Sequence, residues 1–325
     1  MSEITYLQSI SDALREELIR DDKVYLLGED MGVYGGCFGV TRGFLEEFGE
    51  DRIMDTPISE GGFTGVAIGS AMAGYRPVVE YMFSDFITVA MDLIANQAAK
   101  SRFMLGGQVS VPMVVRTPAG SGTGAAAQHS QSFEAWFAHV PGLKVVMPAT
   151  PYDAKGLLKA AIRDNNCVLF YEHKLLYGTK GEVPKDEYVL PIGKADVKRE
   201  GKDVTIISYS LTVLKALQAA EKLAAEGIDA EVIDLRSISP LDKETIIASA
   251  KKTGRVLITH EGVEKFGVGA EVSSIINDSE AFFYLDRPVK RFGGDDTPIP
   301  YSPGLEAQVV PQVDTIYQKV KELMK

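Results

Sequence analysis

Cysteine is scarce in this sequence. Cys37 and Cys167 are the only two among 325 residues, too few for a disulfide framework and without the repeated spacing of a zinc site, so both read as free thiols. Long apolar runs are missing as well. No stretch reaches the about 18 consecutive apolar residues a membrane-spanning helix needs, and the start, MSEITYLQSI, lacks the charged-then-apolar layout of a secretory signal. The expected compartment is the cytoplasm. Positive charge is in deficit, with 34 Lys and Arg against 45 Asp and Glu and a formal net charge of -11. That balance disfavours attraction to phosphate backbones and to anionic lipid, so neither nucleic acid nor membrane is an expected partner. Repeats and low-complexity tracts are absent. So is the GxGxxG fingerprint of a dinucleotide fold, and no Lys-Ser or Lys-Thr follows Gly120-Ser121-Gly122-Thr123-Gly124 as a phosphate-cradling Walker loop requires.

What is present is an alternation. Leu7, Ile10, Leu14 and Leu18 recur at helical spacing and lead into the apolar run Val24 to Leu27. Further short apolar runs at Pro77 to Val79, Pro112 to Val115, Lys144 to Met147 and Cys167 to Phe170 read as strands. Gly61 to Ala73, Asp85 to Arg102 and Tyr152 to Asp164 read as helices. Strands alternating with helices predict an α/β fold with a mostly parallel sheet covered on both faces. Gly178, Gly181 and Pro184 break the rhythm. A first domain is therefore expected over 1–175, a linker over 176–190 and a second, smaller α/β domain over 191–325. In the second, Val204 to Ser208, Glu231 to Ile233 and Val256 to Thr259 read as strands, and Leu214 to Ala225 and Asp242 to Lys252 as helices.

Ligands gather at the carboxyl ends of strands in open α/β sheets, so polar residues just after predicted strands are the first candidates. They are Gly28-Glu29-Asp30, the segment Asp55 to Glu60, Phe83-Ser84-Asp85-Phe86, and the glycine loop leading to Gln128-His129-Ser130. Glu60 precedes Gly61-Gly62, where backbone can approach a ligand closely. Capping of the following helix is the plainer role for it. His129 is suited to proton transfer near neutral pH, and a satisfied structural histidine fits the pattern equally well. His139, His173 and His260 share no pair spacing and read as surface or core residues. Cys37, in Gly35-Gly36-Cys37-Phe38-Gly39, has no neighbouring His or helix start to lower its pKa.

Taken in order, LLGEDMGVYGG, GEDRIMDTPISEGGFTG, GYRPVVEYMFSDF, NQAAKSRFMLGG, AAAQHSQSFEAWFAHVPGLKVVMPATPYDAKGLL, AIRDNN, DLRSISPLD and TPIPYS resemble the β subunits of 2-oxo acid dehydrogenase first components and of acetoin dehydrogenase. The resemblance covers essentially the whole chain. It implies a parallel-sheet domain that grips the aminopyrimidine of thiamine diphosphate, followed by a transketolase C-terminal-like α/β domain. It also implies half a site, because the magnesium diphosphate is held by a separate α subunit. The magnesium signature Gly-Asp-Gly with a later Asn is missing here, and Gly294-Asp295-Asp296 is no match.

The same resemblance assigns roles. Glu60 is the carboxyl group that hydrogen-bonds the pyrimidine ring nitrogen, Phe86 stacks on that ring, Ile58 lines the pocket and Glu29 stands behind it. His129 is the histidine beside substrate and the carrier's lipoyl group. A potassium ion is implied at Met113, Ala161, Ile162, Asp164 and Asn166, bound largely through main-chain carbonyls, for which the bare sequence offers a polar helix end and turn instead. The implied assembly is a heterotetramer of two α and two β subunits docked on a lipoyl-bearing acyltransferase core. The implied reaction is cleavage of acetoin or a 2-oxo acid with transfer of the acyl group to lipoamide. MFSDF and NQAAK-x-RFM lie closer to acetoin dehydrogenase than to pyruvate dehydrogenase, with pyruvate and branched-chain 2-oxo acids as alternatives. A nucleotide-dependent oxidoreductase is the second reading, weakened by the absent fingerprint. A scaffold whose second domain only docks a carrier is the third.

Overall fold

The chain opens with β1 (Ser2–Thr5) and α1 (Tyr6–Arg20), where Thr5 accepts the Gln8 amide and Tyr6, Ile10, Ala13, Leu14 and Leu18 bury one face at helical spacing. The computed structural model describes all 325 residues, and the chain divides into two units. The first is Met1–Ala119 with Trp136–Ile192, and the second is Gly120–Ala135 with Gly193–Lys325.

In the first unit follow β2 (Val24–Gly28), α2 (Phe44–Phe48), β3 (Ile53–Asp55), α3 (Glu60–Met72), β4 (Arg76–Glu80), α4 (Ser101–Met104) and β5 (Val114–Ala119). After α5 (Glu134–Ala138) come β6 (Lys144–Val146), α6 (Pro151–Arg163), β7 (Val168–His173) and β8 (Lys180–Val183). Six of these strands lie side by side in the order β6-β7-β5-β4-β2-β3, all parallel. Every residue of β2, β5 and β7 is buried, which is why these strands open on unbroken apolar runs rather than alternating. The strand order reverses between β2 and β4, because β3 leaves to one side of β2 and β4 returns on the other. That reversal opens a crevice at the carboxyl ends of both strands.

One expectation meets a different outcome here. Asp85 to Arg102 is not one α-helix: Ser84–Ala90 is a 3-10 helix, Leu93–Ala98 has π spacing, and only Ser101–Met104 is α. Ile87, Ala90, Ile94 and Ala98 are buried at helical intervals, so the period is written in the sequence whereas the changing pitch is not. Within 176–190, β8 pairs antiparallel with β1, Tyr188 stacks on Tyr152 with ring centroids 4.8 Å apart, and the Leu190 amide bonds the Gly156 carbonyl.

The second unit holds β9 (Asp196–Arg199), β10 (Val204–Ser208), α7 (Leu211–Ala224), β11 (Ala230–Asp234), β12 (Ser237–Ser239), α8 (Lys243–Thr253) and β13 (Val256–Val263). It closes with α9 (Val268–Asn277), β14 (Lys290–Gly294), α10 (Pro303–Gln308) and α11 (Val313–Met324). Its sheet runs β14-β13-β10-β11-β9, parallel except for β9. The order reverses between β10 and β13. No helix of the chain is long and apolar enough to cross a membrane.

Candidate active site

The crevice of the first sheet collects acids. Glu29 is the first residue beyond β2 and is 7% exposed, and its Oε1 has no hydrogen-bond partner. Burial raises its pKa, and the charges of Glu60 and Asp30 raise it further. Glu60 is half-buried and opens α3, where the helix N-terminus favours a carboxylate. Thr56, beyond β3, donates its amide to the Gly28 carbonyl, and its buried hydroxyl also lacks a partner. Asp55 accepts the Gly32 amide at 2.6 Å and the Val33 amide at 3.2 Å, tying the loop after Glu29 to the end of β3. Behind α3, the Tyr81 hydroxyl meets Thr64, and burial pushes the phenol's pKa up, with Glu60 and Glu29 adding to the effect. Phe86 is half-buried and packs edge-on against Phe83 at 6.0 Å, whereas Ile58 is 82% exposed.

Two orphaned buried oxygens beside a carboxyl-bearing helix start are what a crevice looks like when its hydrogen-bond partner comes from a ligand. The residues of this crevice therefore fit a polar heteroaromatic group. Glu29 and Glu60 offer acceptors or a shared proton.

Beneath the crevice lies an ionic cluster absent from the sequence-based candidates. Arg116 within β5, Glu80 at the end of β4 and Glu172 near the end of β7 are all buried, and the Tyr177 hydroxyl donates to Glu172 at 2.8 Å. One cation faces two carboxylates. Burial raises the Glu80 pKa, Arg116 opposes that rise and Glu172 adds to it. Glycine is required alongside: a Cβ at Gly36 would stand 2.6 Å from Glu80 Oε1. The signal was legible, since VVE, VVR and LFYE each end an apolar run in a charge.

At the expected ion position, Met113, Ala161 and Ile162 are buried. Their carbonyls accept from the Val168 amide, the Asp164 amide and Arg76 Nη1 respectively. The Asp164 carboxylate takes the Lys144 ammonium and both nitrogens of Asn166, which together hold its pKa down against the raising effect of burial. Arg76 also donates to the Asp164 carbonyl at 2.9 Å. Each carbonyl keeps a second lone pair of the kind a monovalent cation takes, and Arg76 and Lys144 already bring positive charge to these oxygens.

His129 is half-buried and belongs to the second unit, on the segment Gly120–Ala135. Among the other histidines, His139 is exposed, His173 accepts the Leu175 amide at 3.2 Å, and His260 is buried. Cys37 is exposed, yet desolvation and the nearby Glu80 raise its pKa, which is the opposite of an activated thiol. Burial pushes Cys167 up to about 12.

Residues 2–180 match the family model "Transketolase, pyrimidine binding domain", and residues 193–316 match "Transketolase, C-terminal domain". The 2-oxoisovalerate dehydrogenase subunit beta of Bacillus subtilis is 52% identical over 325 residues, covering 99% of both chains. The mitochondrial pyruvate dehydrogenase E1 component subunit beta-2 of Oryza sativa is 51% identical, covering 98% of this chain and 86% of its own. The chain belongs to the family of 2-oxo acid dehydrogenase E1 β subunits. A solved structure, "Split gene transketolase, inactive beta4 tetramer", superposes with a TM-score of 0.82 over 99% of this chain and 98% of its own, at 24% identity. At that identity it establishes the transketolase-like fold alone. The family's pyrimidine-binding model covers the crevice that holds Glu29 and Glu60.

Proposed function

We propose that this E1 β chain, joined to an α subunit, forms a thiamine-diphosphate-dependent enzyme that oxidatively decarboxylates a 2-oxo acid and passes the acyl group to lipoamide on a carrier protein. The observation that carries this reading is the Glu29–Glu60 pair in the strand-order crevice of a domain matched as pyrimidine-binding. Bound there, the cofactor would supply an electron sink for cleaving the carbon–carbon bond beside a carbonyl.

The chain's own residues do the rest. Glu60 binds the pyrimidine ring nitrogen and holds or releases a proton at its carboxyl oxygen. In a water-poor cleft such a bond is stronger than in water, and a carboxyl group can share its proton with a ring nitrogen of matched affinity. Glu29, buried and with its pKa raised, supports that proton from behind. Phe86 presents its ring face and Ile58 closes the apolar side, which fixes orientation. His129 moves a proton during acyl transfer. The α subunit holds the magnesium diphosphate, two α and two β chains assemble, and a lipoyl-bearing core receives the product. Potassium at Met113, Ala161, Ile162, Asp164 and Asn166 stiffens the end of α6, and the compartment is the cytoplasm.

Acetoin is the second reading, favoured by MFSDF and NQAAK-x-RFM. Co-expression with the α subunit and assay on pyruvate, 2-oxoisovalerate and acetoin in parallel separates the substrates. In the same complex, Glu60→Gln is expected to abolish turnover while leaving assembly intact. Near-normal turnover in that variant would overturn the mechanism.

A further inference from the structure

In the second unit, left-handed backbone alternates through one loop: Gly120, Gly122 and Gly124 have φ of 85°, 97° and 66°, and Ala126, with a side chain, has 59°. Such alternation turns successive amides toward a common concavity that attracts an anion. The anions are this unit's own side chains. The Gly122 amide donates to Glu306 Oε1 at 2.6 Å and the Gly124 amide to Oε2 at 3.1 Å, while the Ser121 amide donates to Glu261 Oε1 at 2.6 Å. Glu306 is 2% exposed, so its charge is matched by these amides rather than by water.

The far end of the segment is tied as well. Glu134 accepts the Tyr209 hydroxyl at 2.8 Å, and a Cβ at Gly262 would stand 2.8 Å from Glu134 Oε1. Tyr209 directly follows β10 and Glu261 lies in β13, the two strands that flank the order reversal of the second sheet. That crevice ordinarily receives a ligand. Here the chain's own residues 120–135 bond to it at both ends, and His129 lies between those ends. Its amide meets the carbonyl of the left-handed Ala126 at 3.4 Å. A left-handed residue with a side chain persists only where its surroundings over-determine it, and such strain gathers at functional sites.

We infer that Glu306, Glu261 and Tyr209 are positioning residues, holding the His129 loop in the conformation from which its imidazole moves a proton in acyl transfer. This rests on the role proposed for His129. Glu306 and Glu261 set the loop's entry through its amides, and Tyr209 sets its exit through Glu134.

The test uses the complex with the α subunit, carrying Glu306→Gln, Tyr209→Phe, Glu306→Asp or His129→Ala. Acylation of a lipoyl domain is compared with reduction of an artificial dye acceptor by the same complex. Amide exchange is followed over residues 120–135. Glu306→Gln is expected to slow lipoyl acylation ~10–100-fold, the scale of a misplaced reacting group. The dye-linked rate should stay within about twofold, since a loss confined to one step marks an interaction made in that step. Exchange at Ser121 to Gly124 should rise, and Glu306→Asp, which keeps the charge, should recover part of the acylation rate. Tyr209→Phe removes one hydroxyl and gives the same comparison if Glu306→Gln fails to assemble. Should His129→Ala lose acylation while Glu306→Gln and Tyr209→Phe keep it, the positioning role is overturned and the histidine's role stands. Should His129→Ala itself keep acylation, both fall.

Discussion

Arg116 grips Glu172 through two parallel hydrogen bonds, Nε to Oε1 at 2.6 Å and Nη2 to Oε2 at 2.9 Å, and its remaining nitrogen reaches Glu80 at 2.5 Å. All three side chains are buried. Removing the cation leaves two carboxylates facing each other without water, so Arg116→Met is expected to cost ~3–5 kcal/mol. Urea unfolding of variant and parent measures it, and an unchanged midpoint would show that the cluster contributes nothing net.

Glu29 makes the chain's stability fall with rising pH. Its pKa is raised in the folded state by burial, then by Glu60 and Asp30, so the folded chain binds the proton more tightly than the unfolded chain. Its contribution is therefore present below the ordinary carboxylate range and lost as pH rises through the raised value. Glu29→Gln keeps the shape without the charge. Its stability should decline less than the parent's between mildly acidic and neutral pH, and parallel pH profiles from the two proteins would contradict the assignment.

His260 acts in the opposite sense. Its Nδ1 lies 2.9 Å from the Gly262 carbonyl and its Nε2 accepts the Gly269 amide at 3.2 Å, which fits the neutral ring and leaves no room for a second proton. Burial lowers its pKa to about 4, against about 6.5 for the unfolded side chain. The folded state thus binds fewer protons over that interval, and the histidine's contribution is lost as pH falls through it. About 3 kcal/mol should disappear between those two pH values. The loss should be much smaller in His260→Gln. Denaturant midpoints at stepped pH decide the matter, and equal slopes in both proteins would exclude His260 as the cause.

Much of the frame was legible because buried parallel strands write themselves as unbroken apolar runs. Val204–Ser208 reads directly as β10, and Val24 to Leu27 lies within β2. Short edge elements such as β1, β3 and β14 carry too few apolar residues to announce themselves. The end of a predicted strand marked the segment holding Glu29 as a candidate, whereas the glycines after Glu60 fitted a helix cap as well as a ligand contact. The partners of the glycine loop were hidden for another reason. Glu306 stands 184 positions from Gly122 and Glu261 140 positions from Ser121, and no local pattern marks a surface-type residue that folding will bury against distant amides.

The second unit borrows sixteen residues, Gly120 to Ala135, from the middle of the sequence assigned to the first. A protein cut before Gly193 would therefore strand that insert, with its amides robbed of Glu306 and Glu261 and its Glu134 of Tyr209. Neither half can be made by a single truncation. A tractable version of the C-terminal half would need the insert grafted back onto it, so the activity of a shortened chain reports on the damage as much as on the division of labour.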